Sequence, residues 1–204
     1  MASKRVLTVG DGDLSFSLAL VRAFDIQVVA TTWLSAEDLV QRYRSAAGTR
    51  DELLERGMPV LHEVDACNLQ KLPELGYVDP FDVAMFNFPH LGDVAVDCHR
   101  PDSEHVRKHV ALLSHFLHSA RSVACEVHIT LCGEQAALWD LHGSAERLGW
   151  LEHRRLVFIV RFCTRLIHTP RHAIANCVVR MHRMTSTLNS QETFFGSVWG
   201  SSLE

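Results

Sequence analysis

Apolar positions along this chain fall in short dense runs separated by stretches with helical spacing. The first run, "RVLTVG" at 5–10, reads as a strand, and 14–24 follows with the period of a helix. "IQVVATTW" at 26–33, rich in β-branched residues, predicts a second strand. "SAEDLVQRY" at 35–43 starts like a capping box, with Ser35 followed three residues later by Asp38, and predicts a helix. A further helical piece covers 49–57 and ends at Gly57. "PVLHEVD" at 59–65 predicts strand three, and "DPFDVAMFNFPH" at 79–90 a turn leading into strand four. A helix over 103–120, a strand at 122–132 closed by Gly133 and a helix over 135–148 ended by Gly149 come next. The runs at 150–162 and 172–182 suit an antiparallel pair. Strands alternating with helices predict an α/β fold, a mostly parallel sheet of seven strands with a C-terminal antiparallel pair. No repeat or linker interrupts it, so 1–184 is expected to form a single domain. The stretch 185–204 has no period and many Ser, Thr and Gly, and reads as a flexible tail.

Composition narrows the classes. The chain has 204 residues, 47% of them apolar, enough for one domain with a real core. No apolar run approaches the ~20 residues of a membrane-spanning helix. The first strand starts so early that a signal or transit peptide is not expected. Cys67, Cys98, Cys125, Cys132, Cys163 and Cys177 form no CxxC pair and read as reduced core thiols of an intracellular protein. Net charge is −4, but it is unevenly spread: residues 1–150 hold 13 Lys/Arg against 21 Asp/Glu, and 151–185 hold seven Arg against Glu152. An acidic body with an Arg-rich stretch can dock a polyanion from one side. The same stretch also reads as a solvated pair of edge strands.

The candidate chemistry begins at "VGDGDLSFSLAL", a glycine turn between strand one and the first helix. In an open parallel sheet, ligands bind beyond the carboxyl ends of the strands. A dinucleotide fingerprint needs a third glycine where this chain has Ser15, and it would set Asp11 and Asp13 against a pyrophosphate. S-adenosylmethionine fits better, because it lacks phosphate and carries a sulfonium and an ammonium. A plain strand-to-helix turn with Asp as helix cap is the alternative. Asp65, with Ala66 beside it, ends strand three, where an acid accepts the adenine amino group or caps a following helix. "FNFPH" at 86–90 ends strand four. There Asn87 is expected to offer its side-chain oxygen to a planar nitrogen target, with Pro89 fixing the turn and Phe88 or His90 facing the base. Trp33 can pack on adenine or in the core.

Five segments in order, "LTVGDGDLSFSLAL", "VATTWLSAEDLVQRY", "GMPVLHEVDACNL", "FDVAMFNFPHLGD" and "EVHITLCGEQ", are similar to the Rossmann-like domain of the ribosomal-RNA uridine-N(3) methyltransferase family. That family includes vertebrate proteins with an added ferredoxin-fold anticodon-binding domain, and the likeness covers residues 4–160. It implies a Rossmann-like methyltransferase fold, S-adenosylmethionine as cofactor, structured RNA as substrate and a nuclear or nucleolar setting, with a cytoplasmic one open. It puts Gly10, Asp11, Gly12, Asp13 and Ser15 at the methionine end, Asp65 at adenine and Asn87 to His90 at the target. One departure stands out: where the family reads "ATxxDS", this chain has Leu34 in place of the acid that suits the ribose hydroxyls, with Ser35 and Glu37 nearby as substitutes.

Methylating uridine N3 requires an acceptor for its proton. His90 is the first candidate, with Asn87 and Asp11 beside it. Arg154, Arg155, Arg161, Arg165 and Arg171 are the RNA-backbone candidates. The alternative function is a catalytically inactive fold that binds RNA or a protein partner. Thirteen histidines raise a metal reading, with His105 and His109 one helical turn apart, as are His115 and His118. No four-ligand spacing appears, so no metal is expected.

Overall fold

The computed structural model describes residues 3–72, 79–92, 103–160 and 174–183; the side chains of 153–160 and 174–177 lie outside that description. The elements are β1 (Lys4–Val9), α1 (Ser15–Ala23), β2 (Ile26–Thr31), α2 (Ala36–Arg42), α3 (Ala46–Glu55), β3 (Val60–Leu61), β4 (Phe81–Asn87), α4 (Glu104–Ala120), β5 (Ala124–Cys132), α5 (Gln135–Leu138), α6 (Leu141–Arg147), β6 (Trp150–Val160) and β7 (Ile174–Arg183). A 3-10 turn spans Ala66–Lys71.

The strands form one seven-stranded sheet in the order β3-β2-β1-β4-β5-β7-β6. β1 pairs in parallel with both β2 and β4, β5 is parallel to β4, and β7 is antiparallel to both β5 and β6. This is the expected mostly parallel sheet with an antiparallel C-terminal pair. Alternation along each strand loads both faces. Leu7, Val9, Ala84 and Phe86 face a core completed by Leu113, Phe116 and Leu117 of α4 and by Trp139 and Trp150. Val6, Val28, Ala30, Val83 and Met85 face the other core, closed by Leu14, Leu18, Leu39 and Leu53. The chain order reverses between β1 and β4, so a crevice opens there at the carboxyl ends.

Local chemistry sets the helix starts. Ser35 accepts a hydrogen bond from the Asp38 N–H at 3.1 Å and donates its hydroxyl to the Asp38 carboxylate at 2.8 Å. Ser103 caps α4 through the Val106 N–H. Three expectations change. Strand three shrinks to two residues, because Glu63 takes a left-handed φ of 56° and the chain turns away from the sheet. The helix expected over 135–148 divides into α5 and α6 at Asp140, another left-handed residue with φ 46°. The core-thiol reading does not hold for the described cysteines: Cys67 and Cys132 are half-buried free thiols and Cys125 is an exposed one. Among the described residues, no helix is long and apolar enough to cross a membrane.

Candidate functional site

The crevice between β1 and β4 holds a cavity of about 240 Å³ lined by Thr8, Val9, Gly10, Asp11, Gly12, Phe16, Met85, Asn87 and Phe88. Small-molecule sites run from about 300 to 1,000 Å³, so this one accommodates one end of a nucleoside-sized ligand. Its two walls are the two segments singled out in the sequence.

Gly10 has φ 64°, and a Cβ there would lie 3.0 Å from the Phe86 ring; at Gly12 a Cβ would lie 3.1 Å from the Tyr43 hydroxyl. At Gly10 both the close Phe86 ring and the left-handed backbone angle favour glycine, whereas at Gly12 a Cβ would press on the far end of the Tyr43 side chain. The Asp11 N–H donates to the Thr31 carbonyl at 2.9 Å, tying the turn to β2. Both carboxylates also serve the start of α1. Asp11 accepts from the Ser17 N–H at 2.8 Å and the Ser17 hydroxyl at 2.6 Å, both at the same oxygen. Asp13 accepts from the Ser15 N–H and hydroxyl, again at one oxygen. The capping alternative is thus met, and the Phe16 backbone N–H adds to the hydrogen bonding of the Asp11 carboxylate. Burial pushes the Asp11 carboxyl up from its ordinary value against the Ser17 hydrogen bonds, and the negative charge of Asp13 pushes it the same way.

On the opposite wall, Asn87 closes β4 in register with Thr130 of β5. The Thr130 hydroxyl donates to Asn87 Oδ1 at 2.6 Å. This bond takes one of the two lone pairs of the amide oxygen and fixes the plane of the Asn87 side chain. Phe88 comes next with φ 49° and is half exposed, while Pro89 is buried behind it. The exposed His90 is absent from the cavity lining. Its ring lies 4.8 Å from that of His109 and 5.3 Å from that of His105, toward α4.

The expected adenine end is only partly assembled. Asp65 accepts from the Cys67 N–H at 2.8 Å and from the Asn68 amide, so it caps the Ala66–Lys71 turn. Burial and the Asp65 charge push the Cys67 thiol up to about 11, which keeps it protonated. Trp33 is 67% exposed, which removes the core alternative for it. Leu34 packs partly buried against the α1–α3 core, and its carbonyl accepts from the Glu63 N–H at 3.2 Å. Asp65, Ala66 and Trp33 do not line the cavity.

The RNA candidates sit elsewhere or outside the description. Arg154 and Arg155 lie on β6, in register with Arg180 and Val179, with β5 and β7 between that strand and β4. Arg161, Arg165, Arg171 and the stretch 185–204 lie outside the described residues.

Sequence reasoning missed Thr130, Phe16 and Met85, whose roles come from register and packing. It also missed that His90 joins His105 and His109. One ring nitrogen from each lies within 4.8 Å of the others. Linear spacing linked only the last two.

Several known proteins share this plan. The chain is 31% identical over 163 residues to heavy metal-associated isoprenylated plant protein 41 of Arabidopsis thaliana, an alignment covering 77% of this chain and 31% of that protein. It is 35% identical over 140 residues to human ferredoxin-fold anticodon-binding domain-containing protein 1, covering 66% of this chain and 21% of that one. The chain thus spans a third or less of either relative. Among solved structures, the human methyltransferase 10 domain containing protein superposes with a TM-score of 0.52 at 12% identity, covering 90% of this chain and 73% of that one. That likeness establishes a Rossmann-like methyltransferase fold. The family described as rRNA (uridine-N3-)-methyltransferase BTM5-like matches residues 7–162. That span takes in both walls of the cavity and the sheet between them, and the chain belongs to this family.

Proposed function

We propose that this chain is an S-adenosylmethionine-dependent methyltransferase acting on structured RNA, with uridine N3 as the target atom. The observation that carries the reading is the cavity at the β1–β4 crevice, which has the backbone glycine turn and Asp11 on one wall and Asn87 with Phe88 on the other. The donor set fits the cofactor. The lining offers no cationic side chain for a phosphate, while the Asp11 carboxylate suits an ammonium or a sulfonium. When bound, the cofactor supplies an electrophilic methyl group for in-line displacement.

The residues of this chain do the positioning. Thr130 fixes the plane of the Asn87 amide, whose N–H matches a uracil carbonyl flanking N3. Phe88, half exposed and held in a left-handed conformation, offers a face for the flat base. Asp11 is the titratable group in the cavity lining, and its raised carboxyl pKa makes it a better proton acceptor than an ordinary aspartate. His90, the first candidate from sequence, would have to turn from α4 to reach the same place.

The test is calorimetry with S-adenosylmethionine, then transfer of labelled methyl to RNA with nucleoside analysis. Binding followed by 3-methyluridine supports the reading; absence of binding overturns it. A second reading, a non-catalytic RNA- or protein-binding module, draws on Leu34, an apolar side chain where the family pattern has an acid. Under that reading the chain captures RNA or a protein partner without consuming the methyl donor.

A further inference from the structure

His90, His105 and His109 gather where the segment after β4 meets the first two turns of α4. We propose that these three imidazoles form a binding site for a zinc-class divalent transition metal, which pins the His90 segment to α4. The inference does not depend on methyl transfer.

The tautomer of His109 is set by its neighbour. Its Nδ1 lies 2.8 Å from the His105 carbonyl, an acceptor only, so Nδ1 carries the proton and Nε2 presents a lone pair. An imidazole whose far nitrogen donates to a carbonyl is the usual arrangement of a metal-bound histidine. His109 is 1% exposed and stacks on Trp139, with ring centroids 4.2 Å apart and planes at 22°, so the ring is held in place.

The other two rings agree. Backbone donors face the lone pairs: the Leu91 N–H points to His109 Nε2 at 3.3 Å, and the Gly92 N–H to His90 Nδ1 at 2.9 Å. A cation would take over the place these weak positive partners occupy. His105 is 7% exposed, and its buried Nδ1 has no hydrogen-bond partner among the described residues, a cost that a ligand would remove. Three convergent imidazole nitrogens, the cluster's ligand set among the described residues, suit zinc and its neighbours rather than magnesium or calcium.

The cluster is open. Its ligand nitrogens lie within 4.8 Å of one another, whereas tetrahedral zinc with bonds of about 2.0–2.1 Å sets them about 3.4 Å apart. His90 is exposed and is not on the helix, so it is the ring that closes the gap. The metal would thereby fasten the chain three residues beyond Asn87.

The test uses tag-free, chelator-treated full chain titrated with zinc, and with cobalt as an optical probe. The proposal expects one zinc per chain, an intense four-coordinate cobalt band, and a melting temperature raised by about 5–10 °C at zinc 100-fold above Kd. His90→Gln, an exposed change that leaves the core intact, and His109→Gln should each weaken binding at least about tenfold. The double change His115→Gln/His118→Gln, at two exposed sites on α4, should leave it unaltered. Zinc binding that survives His90→Gln, or that is lost in the His115/His118 double variant, overturns the proposal, as does the absence of a stoichiometric site.

Discussion

Replacing Gly10 by alanine tests the geometry of the cavity wall. Two costs are separable. The φ of 64° places an L-residue in the left-handed region, at about 1–2 kcal/mol. The new Cβ also meets the Phe86 ring at 3.0 Å. That ring is 6% exposed and packs edge-on against Phe116 with centroids 4.9 Å apart, so it has little room to retreat. Overpacking of this kind costs about 1–3 kcal/mol. Together these predict a loss of about 2–5 kcal/mol, or about 4–20 °C in melting temperature for a chain this long. Gly57→Ala is the control: its φ is 75°, but nothing lies within 4 Å of its Cβ, so only the backbone cost of about 1–2 kcal/mol applies. Urea unfolding of both variants isolates the Phe86 contact as their difference. Equal losses would falsify the close approach of β4 to the turn. Gly10→Ala also places a methyl group in the cavity lining, so S-adenosylmethionine affinity should fall at temperatures where the variant is still folded. Gly57→Ala should leave affinity unaltered.

Four further outcomes rest on particular residues. Leu34→Asp should strengthen S-adenosylmethionine binding, by about 10- to 150-fold for a charged hydrogen bond to ribose, as read by calorimetry. Thr130→Val removes the bond that orients the Asn87 amide; methyl transfer should fall about tenfold in kcat while affinity for the methyl donor is unaltered. Asp11→Asn keeps the acceptor for Ser17 but removes a buried charge. Because folding raises the Asp11 carboxyl pKa, the ionised form destabilises the fold above the usual carboxylate range. The variant should therefore melt higher at pH 7, by a margin that vanishes as pH falls below that range, and should bind the methyl donor less well. Glu126 is the opposite case: burial pushes its carboxyl up, but hydrogen bonds from His128 and Arg180 outweigh this and hold it at about 2. About 3 kcal/mol of stability should be present above pH ~4.5 and be lost as pH falls toward 2, and Glu126→Gln should cost about 3–5 kcal/mol at pH 7 and flatten that acid limb in urea titrations.

Most of the sheet was legible because its strands are buried on both faces and so read as apolar runs. The Ser35–Asp38 box and the Gly10 turn were legible because their chemistry is local. The features that escaped depend on contacts distant in sequence. Strand three lost its last residues to backbone bonds that Glu63 and Val64 make with Leu34 and Thr32, which no period in "PVLHEVD" announces. The orientation of Asn87 depends on Thr130, 43 residues away, and is set only once β4 and β5 are in register. The histidine cluster needed the segment after β4 to return to α4; helical spacing showed His105 and His109 as a pair but gave His90 no place beside them.

The distribution of backbone strain gives an independent argument for where function resides. The described non-glycine residues with positive φ are Leu14, Glu63, Phe88 and Asp140. Phe88 and the left-handed Gly10 line the two walls of the cavity, Leu14 follows the glycine turn two residues after Gly12, and Glu63 lies two residues before Asp65. A buried leucine and a half-exposed phenylalanine gain nothing locally from such angles, each at about 1–3 kcal/mol. Packing and strand pairing impose them instead. Leu14 drops into the α1–α3 core at 0% exposure, so that α1 starts beneath the Asp11 and Asp13 carboxylates. The Phe88 N–H donates to the Thr130 carbonyl at 2.9 Å, extending the β4–β5 pairing past Asn87 and turning the ring outward. Under the proposed function, the left-handed Gly10 and Phe88 on either wall of the cavity would hold two short segments ready for a ligand between them.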